Sequence, residues 1–233
     1  MARILLQGGL IVDGSGGPSW LGDVLIEGGR IVQLGAGLQA RDPDPATQVL
    51  DCRGQVIAPG FIDAHTHDDA LVLQHPQALP KLSQGITTVV AGNCGISLAP
   101  YATERAGPPL SLLGASSFQY ASFEGYAAAV RAAQPALNVA ALVGHTTLRY
   151  ACVSELSRPA NEGELAAMCA LLDASLAAGA IGLSSGLFYE EAFAAPASEV
   201  VTLARVVARH GDVYTSHLRS EMATIIEIGR AHV

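Results

Sequence analysis

Downstream of Gln55, short β-branched runs alternate with alanine- and leucine-rich stretches, and this alternation constrains the fold more than any other feature. Residues 56–63, 87–91, 139–144, 180–184 and 213–217 read as strands. Helices are expected within 71–84, 123–133, 161–178, 198–210 and 221–230. Asn161 with Glu164 three residues on forms a capping-box pattern, and Gly179 stands where a helix would end. Strands and helices alternating in this way imply parallel βα units, and five can be counted.

Residues 1–55 follow a different grammar. Asp23-Val24-Leu25-Ile26-Glu27 and Arg30-Ile31-Val32-Gln33-Leu34 flank Gly28-Gly29, a hairpin signal with a turn that tolerates positive φ. This segment is too short for a domain of its own, so it is expected to pair with strands from elsewhere, while 56–233 carries the βα units. The chain has 13 Lys+Arg against 21 Asp+Glu, a formal charge of −8, and no basic run. Nucleic acid and anionic membrane are therefore poor partners. Half of the 233 residues are hydrophobic, enough for a sizeable core. The apolar stretch 165–187 is broken by Asp173, Ser175 and glycines, as in a buried helix followed by a strand. The start of the chain has no signal-peptide pattern, because Gln7, Gly8 and Gly9 interrupt its apolar run. Cys52, Cys94, Cys152 and Cys169 are widely spaced with no CxxC pair, which points to a reducing compartment and a cytoplasmic protein.

The chemistry concentrates at strand ends. Residues 55–67 read QVIAPGFIDAHTH, an apolar strand ending in His65-Thr66-His67. Side chains two apart on a strand point the same way, so the two imidazoles can converge on one ion, and imidazole suits zinc. Cys94, in AGNCGIS just past the second strand, fits either a thiolate ligand or a buried packing cysteine. His217 closes the fifth strand, as a further ligand or a hydrogen-bonded partner. His145, after the third strand, could line the same mouth without touching metal. His75, His210 and His232 have no strand-end setting and read as surface or capping residues, while Cys52, Cys152 and Cys169 read as packing residues. No GxSxG, GxxxxGK[ST] or strand-linked GxGxxG is present.

Together VIAPGFIDAHTHDD, AGNCGIS, VGHTTLR, IGLSSGLFY and YTSHLRSE resemble the amidohydrolase superfamily and, within it, the N-acyl-D-amino-acid deacylase (D-aminoacylase) family. The N-terminal LLQGGLIVDGSG and DVLIEGGRIVQLG extend the likeness across nearly the whole chain. The resemblance implies an α/β fold: a (β/α)8 TIM-type barrel preceded by part of a small β-sandwich domain. It also implies zinc-dependent hydrolysis of N-acyl-D-amino acids to a carboxylate and a D-amino acid. Carried over, His65 and His67 look like ligands of a weaker, second metal site. Cys94 looks like the ligand that replaces the carboxylated lysine of the hydantoinase and dihydroorotase branches. His217 looks like a ligand of the tight zinc, and Tyr189 like a wall of the substrate pocket. The alternatives are another amidohydrolase, such as a hydantoinase- or dihydroorotase-like cyclic amidase, or a non-catalytic metal-binding fragment.

There are departures. Glu190-Glu191 stands where the family carries a proline soon after the tyrosine, and reads as charge at the pocket mouth or as a solvated turn. Ser185 stands where threonine is common. The family's later zinc-ligand histidine and general-base aspartate have no counterpart after His217, and His232 follows His217 too closely to serve. A (β/α)8 barrel takes about 250 residues by itself. The expectation is therefore an incomplete barrel of about five βα units, inactive alone, with the catalytic aspartate beyond Val233.

Overall fold

The structure, a computed structural model, describes residues 3–38, 45–114 and 118–220. The expected helix at 221–230 and His232 lie outside the described residues. The chain divides into two compact units, Met1–Gly60 and Phe61–Val233.

The first unit is a five-stranded sheet. β1 (Arg3–Ile11) pairs antiparallel with β2 (Trp20–Glu27), and β2 pairs with β3 (Arg30–Gly35). The expected hairpin forms, with Glu27 opposite Arg30 and both turn glycines at positive φ (Gly28 +56°, Gly29 +80°). β4 (Gln48–Asp51) and β5 (Val56–Ile57) add to β1 in parallel. Leu5, Leu25 and Leu38 form its apolar centre. Beside them the buried Asp23 carboxylate accepts from the N–H groups of Gly8 and Leu38 at 2.8 and 2.9 Å.

The run 56–63, expected as one strand, is two. Val56 and Ile57 pair with β1, and the strand resumes only at β6 (Phe61–Asp63). Pro59, which lacks an N–H, and Gly60 interrupt the ladder between them. The boundary between units therefore falls after Gly60, past the change in sequence grammar at Gln55.

In the second unit β6 pairs in parallel with β7 (Ile86–Ala91), and β7 with β10 (Asn138–Ala141). The expected strand 139–144 is also bent in two. Its continuation β11 (Val143–Gly144) pairs with β12 (Gly182–Gly186), and β12 with β13 (Val213–His217), all parallel. At the bend Leu142 donates to the Ala91 carbonyl (3.0 Å) while Ile181 donates to that of Ala141 (3.0 Å), so this segment touches both neighbouring strands. β8 (Tyr101–Thr103) and β9 (Phe118–Tyr120) form a separate antiparallel pair.

Helices follow the strands. The stretch 71–84 yields only single turns, α1 (Leu71–Gln74) and α2 (Leu79–Leu82), because Pro76 and Pro80 break a longer helix. α3 (Phe123–Ala133) matches its expectation. α4 (His145–Cys152) begins directly after β11 and was not expected. α5 (Glu162–Ala177) carries the capping box: Asn161 Oδ1 accepts from the Glu164 N–H and Glu164 Oε2 from the Asn161 N–H, both 2.9 Å. Gly179 follows its end at φ +104°. α6 (Glu190–Phe193) is one turn, and α7 (Ala197–His210) ends on Gly211 at φ +74°. Leu110, Leu148, Met168, Leu172, Leu183 and Leu203 are fully buried and centre one apolar core between strands and helices. Among the described residues no helix is long and apolar enough to cross a membrane.

Candidate metal centre

The ends of β6 and β7 bring three donors together. Just past β6, His65 and His67 present their rings at 5.8 Å between centroids, nearly perpendicular. Just past β7, Cys94 places its Sγ 3.0 Å from His65 Nε2. One ligand atom from each of these three residues lies within 4.8 Å of the others. His65 is exposed, His67 half-buried and Cys94 buried.

The Cys94 loop is held by backbone contacts that only glycine permits. A Cβ on Gly186 would sit 2.0 Å from the Cys94 carbonyl oxygen, and one on Gly95 would sit 2.5 Å from the Gly186 nitrogen. Cys94 itself adopts φ +55°, a left-handed conformation that costs a non-glycine residue of order 1–3 kcal/mol and persists only where its surroundings impose it.

The donor set suits a divalent ion. Burial, with the neighbouring His65 charge, lowers the His67 pKa, so the ring is held in the neutral form that binds metal. His67 Nδ1 is buried and has no hydrogen-bond partner among the described residues. Burial raises the Cys94 thiol above its ordinary value, and an adjacent cation is what would turn it into a thiolate. Two imidazoles and a sulfur are the ligand types that zinc takes.

His217 ends β13 with its ring stacked on Phe188 at 5.6 Å and 5.7 Å from Tyr189. It is near enough for its charge to act on His67, yet it lies outside the tight group of three. Tyr189 is half-buried, and burial, aided by Cys94, raises its phenol pKa. Glu190 is exposed and Glu191 half-buried in the first turn of α6, and the Glu191 carbonyl accepts from Arg149 Nε at 3.0 Å.

His145 does not line the mouth. It is 0 % exposed, and its Nε2 meets Glu199 Oε1 at 2.9 Å. It opens α4 directly after β11, and that helix turns its ring toward α7. Arg149, also 0 % exposed, reaches the same carboxylate at 2.7 and 3.0 Å and donates to the carbonyls of Leu156 and Arg158. Burial would raise the Glu199 carboxyl. Hydrogen bonds and charge from His145 and Arg149, with the Ala160 N–H at 3.0 Å, outweigh it and bring the pKa down to about 2. Burial lowers the His145 pKa in spite of that partner.

Several groups around the donors were not singled out from the sequence. Lys81 Nζ bridges Asp63 (2.6 Å) and Asp68 (3.0 Å), the carboxylates that flank the two histidines, and this contact lowers the Asp63 pKa. Asp69, 1 % exposed, accepts from the N–H groups of Gly92 (3.0 Å) and Leu98 (3.1 Å); burial raises its pKa to about 6. The Asp68-Asp69 pair directly after the HxH was the available signal. His75 caps the end of α1, and His210, in the last turn of α7, meets Asp173 at 3.0 Å.

Residues 48–223 match the amidohydrolase family, and the chain belongs to it. It is 48 % identical over 227 residues to an N-acyl-D-aspartate deacylase of Alcaligenes xylosoxydans xylosoxydans, covering 97 % of this chain and 45 % of that protein. A D-aminoacylase crystal structure superposes with a TM-score of 0.92 at 45 % identity, over 98 % of this chain and 48 % of that one. An N-acyl-D-glutamate deacylase from Bordetella bronchiseptica, in complex with zinc and a phosphonate inhibitor that mimics the tetrahedral intermediate, superposes at 0.91 with 40 % identity, over 98 % and 47 %. The chain thus spans about half the length of the relatives it matches.

Proposed function

We propose that this chain is part of a soluble, cytoplasmic, zinc-dependent deacylase that cleaves the amide bond of N-acyl-D-amino acids, releasing a carboxylate and a D-amino acid. The observation that carries the reading is the convergence of His65, His67 and Cys94 at the ends of two adjacent parallel strands. The identities to N-acyl-D-aspartate deacylase and D-aminoacylase point to the same substrate class.

In this reading His65, His67, Cys94 and His217 hold one tightly bound zinc and a weaker second metal. Bound zinc would polarise the scissile carbonyl and lower the pKa of water toward neutrality. The chain's own residues do the rest. Cys94 supplies the anionic donor, in the place where other branches use a carboxylated lysine. Phe188 and Tyr189 pack around His217 and restrict it, so its ring is presented in one orientation. Tyr189 forms a wall of the substrate pocket. The carboxylates beside the donors are engaged, Asp63 and Asp68 by Lys81 and Asp69 by backbone N–H groups. None of them is assigned the transfer of a proton to the leaving amine.

The same proposal assigns the first unit to part of a small β domain of sandwich type and the second to the first five βα units of a (β/α)8-type barrel, divided after Gly60 rather than at the expected 55. The parallel pairing of β6 with β7, β7 with β10, β11 with β12 and β12 with β13 supports it. So does the exposure of Phe61 (66 %) and Ile62 (65 %) on the outer strand β6, faces that a closed barrel would cover. The test is substrate profiling of zinc-loaded full-length protein. Turnover of N-acetyl-D-amino acids, with none of hydantoins or dihydroorotate, is expected; the reverse pattern contradicts the reading.

A further inference from the structure

The Cys94 loop is held in a costly backbone conformation, so the contacts that impose it matter for the metal site. Three elements grip it. From β12, Ser184 Oγ accepts the Gly95 N–H at 2.9 Å and donates to the Gly92 carbonyl. The first turn of α4 gives its Thr146 N–H to the Gly95 carbonyl at 2.8 Å. The third grip comes from the histidine segment: Asp69 Oδ2 takes the Gly92 N–H and Oδ1 the Leu98 N–H, bracketing Cys94 on both sides.

Asp69 differs from the other two grips in what it joins. It lies two residues past His67, so one carboxylate ties the segment carrying both histidines to the loop carrying the cysteine. Its own position is fixed in turn, because the Tyr126 hydroxyl on α3 donates to the Asp69 carbonyl at 3.0 Å. We propose that Asp69 is a positioning residue for metal binding: its two hydrogen bonds set the Cys94 sulfur at coordinating distance from the imidazoles. The inference rests on the proposed role of Cys94 as a ligand. A carboxylate suits the task because each of its oxygens accepts one N–H. An amide at the same place offers one oxygen and turns an N–H₂ group toward the second N–H, breaking one arm of the bracket.

The test uses Co²⁺ as the probe, titrated into the metal-free full-length protein and followed by the thiolate-to-cobalt charge-transfer absorption. Asp69→Asn is expected to weaken Co²⁺ binding by about tenfold or more and to diminish the band, the size seen for outer partners of metal ligands. Glu199→Gln, in the buried cluster away from the donors, serves as the control: it should unfold more readily yet bind Co²⁺ as the wild type does. Wild-type affinity and an undiminished band in Asp69→Asn would overturn the inference. If Asp69→Asn does not fold, Tyr126→Phe decides: weaker Co²⁺ binding supports the positioning role, and unchanged binding overturns it. A wild-type protein with no thiolate-to-cobalt band refutes the ligand role of Cys94, and the inference falls with it.

Discussion

Replacing Glu199 by alanine should be among the most damaging single changes in the second unit, although Glu199 lies outside the metal site. Its carboxylate is 2 % exposed and carries four contacts: two from Arg149, one from His145 and one from the Ala160 N–H. Removing it strands the Arg149 guanidinium, which is fully buried. Breaking a buried ion pair by deleting one partner costs about 3–5 kcal/mol. The carbonyls of Glu191, Leu156 and Arg158 still accept from Arg149 and soften the loss, whereas the orphaned Ala160 N–H adds to it. The expected destabilisation is therefore near the lower end, about 3 kcal/mol. That is a large share of the 5–15 kcal/mol typical of a domain. Urea unfolding followed by far-ultraviolet circular dichroism reads it directly. Glu199→Gln, which keeps an oxygen toward Arg149, should lose clearly less. A loss below about 1 kcal/mol in Glu199→Ala would refute the account of this cluster as a mutually dependent buried network.

Acid should act on the same cluster. The Glu199 carboxyl has its pKa held at about 2, below its ordinary 4.5, and burial holds the His145 imidazole below its ordinary 6.5, so the native state holds fewer protons than the unfolded chain in this range. The stability is present above these ordinary values and is lost as pH falls through them toward 2; a melting-temperature series should show the wild type losing more than Glu199→Gln, and parallel curves would contradict this. Gly186→Ala places a Cβ against the Cys94 carbonyl, so it should cost about 1–3 kcal/mol and lower the metal content of the purified protein. Asn161→Ala removes the capping box of α5 and should cost about 1 kcal/mol in thermal or urea unfolding without changing metal content.

Local rules made much of this structure readable in advance. The Gly28-Gly29 hairpin and the Asn161–Glu164 cap depend on residues within a few positions of each other, and both form as expected. His65 and His67 lie just past the end of β6, where their rings come together, while Cys94 joins them through the parallel pairing of β6 with β7. What escaped the sequence was set by partners far along the chain. His145 sits at a strand end like His217, yet its ring belongs to Glu199, 54 residues on. α4 starts at His145 behind Gly144, which offers no side-chain cap, and passes through two threonines, so its beginning carries little local signal. Asp69 looks like one half of an acidic pair until the N–H groups of Gly92 and Leu98 are seen to face it. The breaks inside 56–63 and 139–144 arise where neighbouring segments claim different partners along one apolar run.

The central claim is that His65, His67 and Cys94 together hold a metal ion. Zinc content by elemental analysis of the purified full-length protein, wild type against Cys94→Ala, tests it most directly, with circular dichroism confirming that both are folded. The account predicts zinc bound to the wild-type chain through imidazole and thiolate donors, with a position left open for water, and its loss in the folded variant. Equal zinc in both proteins would contradict it.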